Sequence, residues 1–334
     1  MRSTLVLVLA MSCARAPAAL TLQPAATEPA VGLRSITGAD PIGSKPLLVV
    51  LFYPPAVSKP DLTEVGPYRV EASPEVPIAD GQYPLVVISH GHAGSRFGHH
   101  DLAEHLARSG FIVAAVEHAG DSWNDQTAFG TDRAMYGRAY QASAAIDAVL
   151  ADTLIGPHVD PARIGVTGFS AGGYTALTLV GASPDFALRG PYCERHPGDE
   201  EICKTPKLEK VLGDLKPMRD TRVKAAFVMA PLGIFFRPAA LEAVTTPVFL
   251  AWADHDPVLL PDENAERVQH GLKTVSGTHI VQGAGHYVFL APCTAELASE
   301  AARLCEDPVG VDRLAVHRAL NAEAATFFRA SLEP

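Results

Sequence analysis

Short apolar runs recur along the chain, each closed by glycine, proline or a polar cluster. The runs at 84–89, 111–117 and up to Gly168 show no polar alternation, the pattern of strands buried on both faces of a parallel sheet. Earlier runs at 31–37 and 47–53 predict an antiparallel pair at one edge of that sheet. Between the runs the spacing becomes helical. Residues 101–109 place Leu102, His105, Leu106 and Ser109 on one side and stop at Gly110, and a second helix spans about 133–152. Strands resume at 223–229, 247–253 and 278–281, with a helix at about 262–271. A terminal helix at 312–330 is expected to bury Leu314, Leu320, Phe327 and Phe328. The alternation of strand and helix predicts a doubly wound, mostly parallel sheet with right-handed crossovers. Two stretches break the rhythm: 54–83 reads as a long surface excursion, and 184–222 as a cap-like insertion with a short helix possible at 208–215. With no internal repeat or linker, 31–334 is expected to be a single domain.

The chemistry gathers at the end of one predicted strand. That strand stops at Gly168, Ser170 follows, and Gly172 and Gly173 precede an Ala/Leu/Thr-rich helical segment. A serine on so tight a strand-to-helix turn needs neighbours without side chains, and the turn exposes its hydroxyl beside the first N–H of the helix. An incidental serine in a glycine-rich turn is the bland alternative. The strand before it and the helix after it favour Ser170 as nucleophile and the Ala171 N–H as an oxyanion donor.

A serine hydroxyl needs a base, oriented by a third group, and in a doubly wound sheet both arrive on loops after later strands. His286, in Gly-Ala-Gly-His, follows the last predicted strand, whereas His279 lies within it and His270 and His317 are on helices. The loop 230–233 holds no carboxylate, so the acid is Asp254 or Asp256; Asp256, before Pro257 and Val258, is preferred, with Asp254 as a turn residue. The His92 N–H, in the loop after the 84–89 strand, is the second oxyanion candidate. His90, His92, His99 and His100 invite a metal reading, but no carboxylate or cysteine stands at ligand spacing, so no metal and no cofactor are expected. Trp123 and Phe129 are candidates to line a pocket.

A formal net charge of −10 over 334 residues leaves no electrostatic footprint for nucleic acid or anionic lipid. A small-molecule or polymer ester substrate fits better. Residues 1–18 read as a signal peptide, with one early positive charge, an apolar run too short to span a bilayer, and Ala16-Pro17-Ala18 before the cleavage point. A flexible lead-in at 19–30 follows. The expected destination is the periplasm or the medium; lipidation at Cys13 is the lesser alternative, because Ala10-Met11-Ser12 suits it poorly. Cys193, Cys203, Cys293 and Cys305 then remain, an even set that favours disulfides in an exported chain and allows three pairings. The two local pairings would each close a loop worth about 3 kcal/mol by the chain-entropy argument.

Taken together, Ser-His-Gly-His-Ala-Gly-Ser at 89–95, Glu-His-Ala-Gly-Asp-Ser at 117–122, Gly-Phe-Ser-Ala-Gly-Gly at 168–173, Asp-Pro-Val at 256–258 and Gly-Ala-Gly-His-Tyr-Val-Phe-Leu-Ala-Pro-Cys at 283–293 resemble exported α/β-hydrolases of the predicted dienelactone hydrolase type, similar to platelet-activating-factor acetylhydrolases. The resemblance implies an α/β-hydrolase fold, serine esterase activity, a triad of Ser170, Asp256 and His286, and oxyanion donors at His92 and Ala171. Dienelactone hydrolases themselves carry a cysteine where this chain has Ser170. Ester hydrolysis is therefore the expectation, with lactones, amides or polyesters as alternatives and a non-catalytic binding protein on a hydrolase scaffold as the reading from another class.

Overall fold

A computed structural model describes residues 29–43, 45–57, 61–204, 210–211 and 215–333. The expected signal peptide, nearly all of the expected lead-in and most of the helix suggested at 208–215 lie outside the described residues.

The chain enters the sheet through β1 (Gly32–Ala39) and β2 (Pro46–Tyr53), then forms a small hairpin of β3 (Thr63–Val65) and β4 (Tyr68–Val70) and a two-residue strand β5 (Ser73–Pro74). Next come β6 (Tyr83–Ser89), α1 (His100–Arg108), β7 (Ile112–Glu117), a π-helical turn at Arg133–Gly137 leading into α2 (Arg138–Ala151), β8 (Val159–Phe169) and α3 (Ala171–Leu179). Short helices α4 (Arg189–Arg195) and α5 (Glu200–Cys203) precede β9 (Val223–Met229), α6 (Pro238–Glu242), β10 (Val248–Ala253), α7 (Ala265–Gly271) and β11 (Val275–Val281). Helices α8 (Ala295–Glu300), α9 (Ala302–Cys305) and α10 (Arg313–Leu332) end the chain.

Among the described residues, nine strands form one sheet in the order β11-β10-β9-β8-β6-β7-β2-β1-β5. All run parallel except β2, which is antiparallel to both β1 and β7. The period of two along each strand divides the core. Leu85, Val87, Ile164 and Val166 face α2 and α3, whereas Val86, Ile88, Val113 and Ala115 face α1 and α10. Strands covered on both sides become the unbroken apolar runs seen in the sequence.

The sequence pattern misleads in two places. The 54–83 stretch is not wholly a surface excursion: Val70 and Ala72 are fully buried in the α1 layer, although strands this short carry no detectable period. On α10, Leu320, Phe327 and Phe328 are buried as expected, but Leu314 is 57 % exposed. The buried stripe begins at Arg313 and continues through His317, and Leu314 lies one residue, or about 100°, away from it. The cysteines form the two local disulfides, Cys193–Cys203 and Cys293–Cys305.

Candidate active site

Strand β8 delivers Ser170 to the carboxyl edge of the sheet in a left-handed conformation, φ 57° and ψ −117°. Such a backbone is strained for any residue but glycine and persists only where its surroundings fix it. Here the Ser170 N–H donates to the Met229 carbonyl at 3.0 Å, and the Ser170 carbonyl accepts from the Tyr174 and Leu232 N–H groups at 3.1 Å each. The flanking glycines are a steric requirement. A Cβ on Gly168 would stand 2.2 Å from the Gly172 carbonyl oxygen, and one on Gly172 would stand 1.9 Å from that of Ser89.

Two later loops meet beside this turn. His286 Nδ1 and Asp256 Oδ2 are 2.6 Å apart, both side chains buried. Asp256 Oδ1 accepts from the Val258 and Leu259 N–H groups at 2.8 Å each, so the carboxylate only accepts and the imidazole proton sits on Nδ1. That tautomer leaves Nε2 as a base. The His286 ring lies 4.7 Å from that of Phe169, the residue preceding the serine. Among the described residues the Ser170 hydroxyl and His286 form no direct hydrogen bond, a contact that commonly tightens only when substrate is bound. Asp254 acts elsewhere, its Oδ1 accepting from the Gly283 N–H at 2.6 Å and so tying the β10 loop to the one carrying His286.

The two candidate oxyanion donors come from different elements. Ala171 opens α3. His92 lies on the loop after β6, where a Cβ on Gly91 would touch Phe169 and Ser170 at 3.1 to 3.5 Å, so the two segments are in contact. The His92 side chain turns to Asp121, with Nδ1 to Oδ1 2.5 Å, and the same oxygen accepts from the Ala93 N–H at 3.2 Å.

Behind both segments lies Arg138, the first residue of α2 and fully buried. It donates to Asp121 Oδ2 at 2.6 Å, to Thr175 Oγ1 at 3.1 Å, to Ser89 Oγ at 3.3 Å and to the His90 carbonyl. The Thr175 hydroxyl donates to the Ala171 carbonyl at 2.9 Å, so one guanidinium is linked to both arms of the candidate oxyanion hole, to the His90 carbonyl directly and to Ala171 through Thr175. Burial alone would raise the Asp121 pKa; the charge of Arg138 and the hydrogen bond from His92 outweigh it and hold the group down at about 2. Sequence reasoning assigns no role to Arg138 or Asp121. A signal exists, since Arg138 stands on the same helical stripe as the apolar positions 142, 145, 146 and 149.

The four clustered histidines have separate duties. His90 bonds the Gly91 carbonyl and accepts from the His118 N–H, His99 bonds the Phe289 carbonyl, and His100 pairs with Glu104.

A cavity of about 480 Å³ opens from Ser170, Ala171 and His92. Its walls are mainly apolar, with Phe129 and Met135 from one side, Leu232 and Phe235 from another, and Phe186, Ala187 and Cys193 from the 184–222 segment. Phe129 stacks on His92 with ring centres 4.6 Å apart. Trp123 does not line it; its side chain is 64 % exposed, pointing to solvent from a turn whose N–H is bound by the Gly94 carbonyl.

A parallel sheet with one reversed strand, whose central strand ends in a strained serine turn, defines the α/β-hydrolase fold. Comparison with known proteins agrees. Residues 62–138 match the family of platelet-activating factor acetylhydrolase, isoform II; this segment contains the His92 loop, Asp121 and Arg138 but none of Ser170, Asp256 and His286. No curated protein matches the chain significantly. Among solved structures, a ferulic acid esterase from Streptomyces cinnamoneus is similar with a TM-score of 0.62 at 23 % identity, over 93 % of this chain and 92 % of that one. A dienelactone hydrolase from Anabaena variabilis is similar with a TM-score of 0.50 at 17 % identity, over 92 % of this chain and all of that one. The chain thus has the α/β-hydrolase fold and is similar to a dienelactone hydrolase and, over residues 62–138, to platelet-activating factor acetylhydrolases.

Proposed function

We propose that this protein is an exported serine hydrolase of carboxylic esters. In this reading the Ser170 Oγ attacks the ester carbonyl carbon while His286 Nε2 takes its proton, and Asp256 steadies the imidazolium. The carbonyl oxygen, now negative, is held by the Ala171 and His92 N–H groups. The tetrahedral intermediate collapses, the alkoxide leaves with the proton from His286, and an acyl-Ser170 ester remains. Water, deprotonated by His286, attacks that ester and releases the carboxylic acid and the serine.

The observation that carries the proposal is the buried 2.6 Å bond between Asp256 and His286, with the imidazole ring set against the neighbour of a strained Ser170. The apolar cavity beside Ser170 supports an acyl group as its occupant, and its Phe129, Phe186 and Phe235 suit aromatic as well as short aliphatic acyl groups. Likeness to a ferulic acid esterase points the same way. A serine nucleophile favours esters over the dienelactones of the cysteine enzymes. The 184–222 segment, in this view, is a cap within a single domain that sets acyl preference. Export draws support from the two disulfides, which persist in oxidising compartments.

The test is turnover of a series of p-nitrophenyl esters by the wild type and Ser170→Ala, with labelling by a fluorophosphonate. The expected result is activity and labelling that both disappear in the variant. Absence of labelling in the wild type would favour a binding protein on a hydrolase scaffold.

A further inference from the structure

A second cleft, of about 770 Å³, is bordered by His286 and not by Ser170, whereas the cavity of about 480 Å³ is bordered by Ser170 and not by His286; Val258 borders both. We infer that the second cleft is the subsite for the alcohol half of the ester and that it takes a polyhydroxylated alcohol, such as a sugar or polyol. The inference rests on the hydrolase reading above and adds the orientation and class of the substrate.

The orientation follows from proton transfer. The leaving alkoxide receives its proton from His286 Nε2, so the alcohol oxygen must lie within hydrogen-bond reach of the imidazole. The carbonyl oxygen must lie toward the Ala171 and His92 N–H groups. The acyl half then extends into the apolar cavity on the serine side, and the alcohol half extends past the imidazole into the cleft that His286 borders.

The class follows from the lining. His196, His255 and Arg303 can supply donors, and Asp199, Glu306 and Asp307 supply acceptors. Three carboxylates set among cationic or potentially cationic groups do not make the field of one sign that would select a phosphate or an ammonium. Donors and acceptors together, set among Pro257, Val258, Leu260 and Pro308, match hydroxyl groups on a carbon skeleton, each of which donates once and accepts twice. An alkyl chain would strip water from the cleft side of these groups without replacing its hydrogen bonds, at a cost of about 1 to 3 kcal/mol for each bond lost.

The walls are also fixed in advance. The Cys193–Cys203 bond closes the loop that presents His196 and Asp199. The Cys293–Cys305 bond holds the segment in which Arg303 precedes, and Glu306 and Asp307 follow, the second cysteine. Asp307 is gripped by Arg313 through two hydrogen bonds of 2.8 and 2.9 Å, and His196 by Glu263 at 3.0 Å. Groups held in this way lose little freedom when a ligand binds, which favours recognition of a polar alcohol over its hydration in water.

The experiment compares esters that share one acyl group and so form one acyl-enzyme: a glucose monobutyrate, glycerol monobutyrate and n-hexyl butyrate. The expected kcat/KM is about tenfold higher for the two polyol esters than for the hexyl ester, the worth of one or two hydrogen bonds. Glu306→Ala and Arg303→Ala, at exposed positions where the fold tolerates truncation, should each bring that ratio down toward one, and Glu306→Gln should restore part of it. Equal kcat/KM for the three esters, a preference for the hexyl ester, or an unchanged ratio in both alanine variants overturns the subsite while leaving the hydrolase reading intact. Failure to turn over any ester, p-nitrophenyl esters included, overturns both.

Discussion

Arg138 Nη1 donates to Asp121 Oδ2 at 2.6 Å, and both members of this ion pair are buried. Pairs of this kind are seldom strong sources of net stability, because desolvation cancels most of the attraction, but removing one partner strands the other. Asp121→Asn and Arg138→Met are each expected to cost about 3 to 5 kcal/mol in urea unfolding. The double replacement should cost less than the sum of the two. Because Asp121 holds His92 and Ala93 while Arg138 reaches the Ala171 carbonyl through Thr175, ester turnover should fall in kcat more than it rises in KM. Singles that add to give the double would show that the pair does not act as a unit.

Space around the serine turn is tight. Gly172→Ala puts a methyl group 1.9 Å from the Ser89 carbonyl oxygen and 2.7 Å from that of His90, both backbone atoms fixed in β6 and the loop after it. The expected loss is about 3 kcal/mol, with loss of activity, since relief of the clash must move either α3 or the His92 loop. Gly190→Ala is the contrast: nothing lies within 4 Å of its added Cβ, and it sits in α4, where alanine gains up to about 1 kcal/mol of helix propensity. Melting temperatures of the two variants moving in opposite directions would meet the expectation; a stable, active Gly172→Ala would not.

What the sequence reveals, and what it hides, follows from the range of each interaction. The strand runs are legible because both sheet faces are covered, so apolar content alone identifies them. The serine turn is legible because glycines are needed within two residues of Ser170. The preference for Asp256 over Asp254 rests on the residues that follow it, and Asp256 is the one bonded to His286. The Arg138 network is assembled from β6, the loop after β7, α2 and α3, and no local pattern announces that one side chain bonds residues 121 and 175. Leu314 misleads for a simpler reason: its apolar character says nothing of the phase that Arg313 and His317 set.

The two aspartates after β10 should separate cleanly in kinetics. Asp256→Asn keeps the side chain's shape, but its amide can offer an N–H to His286 Nδ1, which turns the imidazole into the wrong tautomer. A fall in kcat of about four orders of magnitude is expected, the scale known for this replacement in serine proteases. Asp254→Asn retains an oxygen to accept the Gly283 N–H and should cost less than about tenfold. Comparable losses in both variants would remove the distinction between an orienting carboxylate and a turn residue.

Acid should destabilise the fold steeply. His90, His99 and His118 are buried, and burial is the main force that lowers their pKa values, to about 3 for His90, to about 4 for His99 and well below 6.5 for His118; Arg138 adds to the effect on His90 and His118. In the unfolded chain each titrates near 6.5. Above that pH neither state binds these protons and nothing is lost. Below it the unfolded chain takes up protons that the native state refuses, so stability falls by about 1.4 kcal/mol per pH unit for each group until the native value is reached. From about pH 6.5 to 5 that amounts to about 2 kcal/mol per histidine, and three together approach the whole stability of many proteins. His317 works in the other direction. Burial alone would lower its pKa, but the charge of Asp101 and the hydrogen bond to it raise it, so its contribution is complete below 6.5 and is lost only as pH rises through the native value. It therefore adds no slope on the acid side. Urea unfolding at constant ionic strength should show stability dropping by about 4 kcal/mol per unit between pH 6 and 5, and His99→Gln should reduce that slope by about one third. A wild-type slope no steeper than that of a single group, about 1.4 kcal/mol per unit, would mean that these imidazoles take up protons in the folded protein.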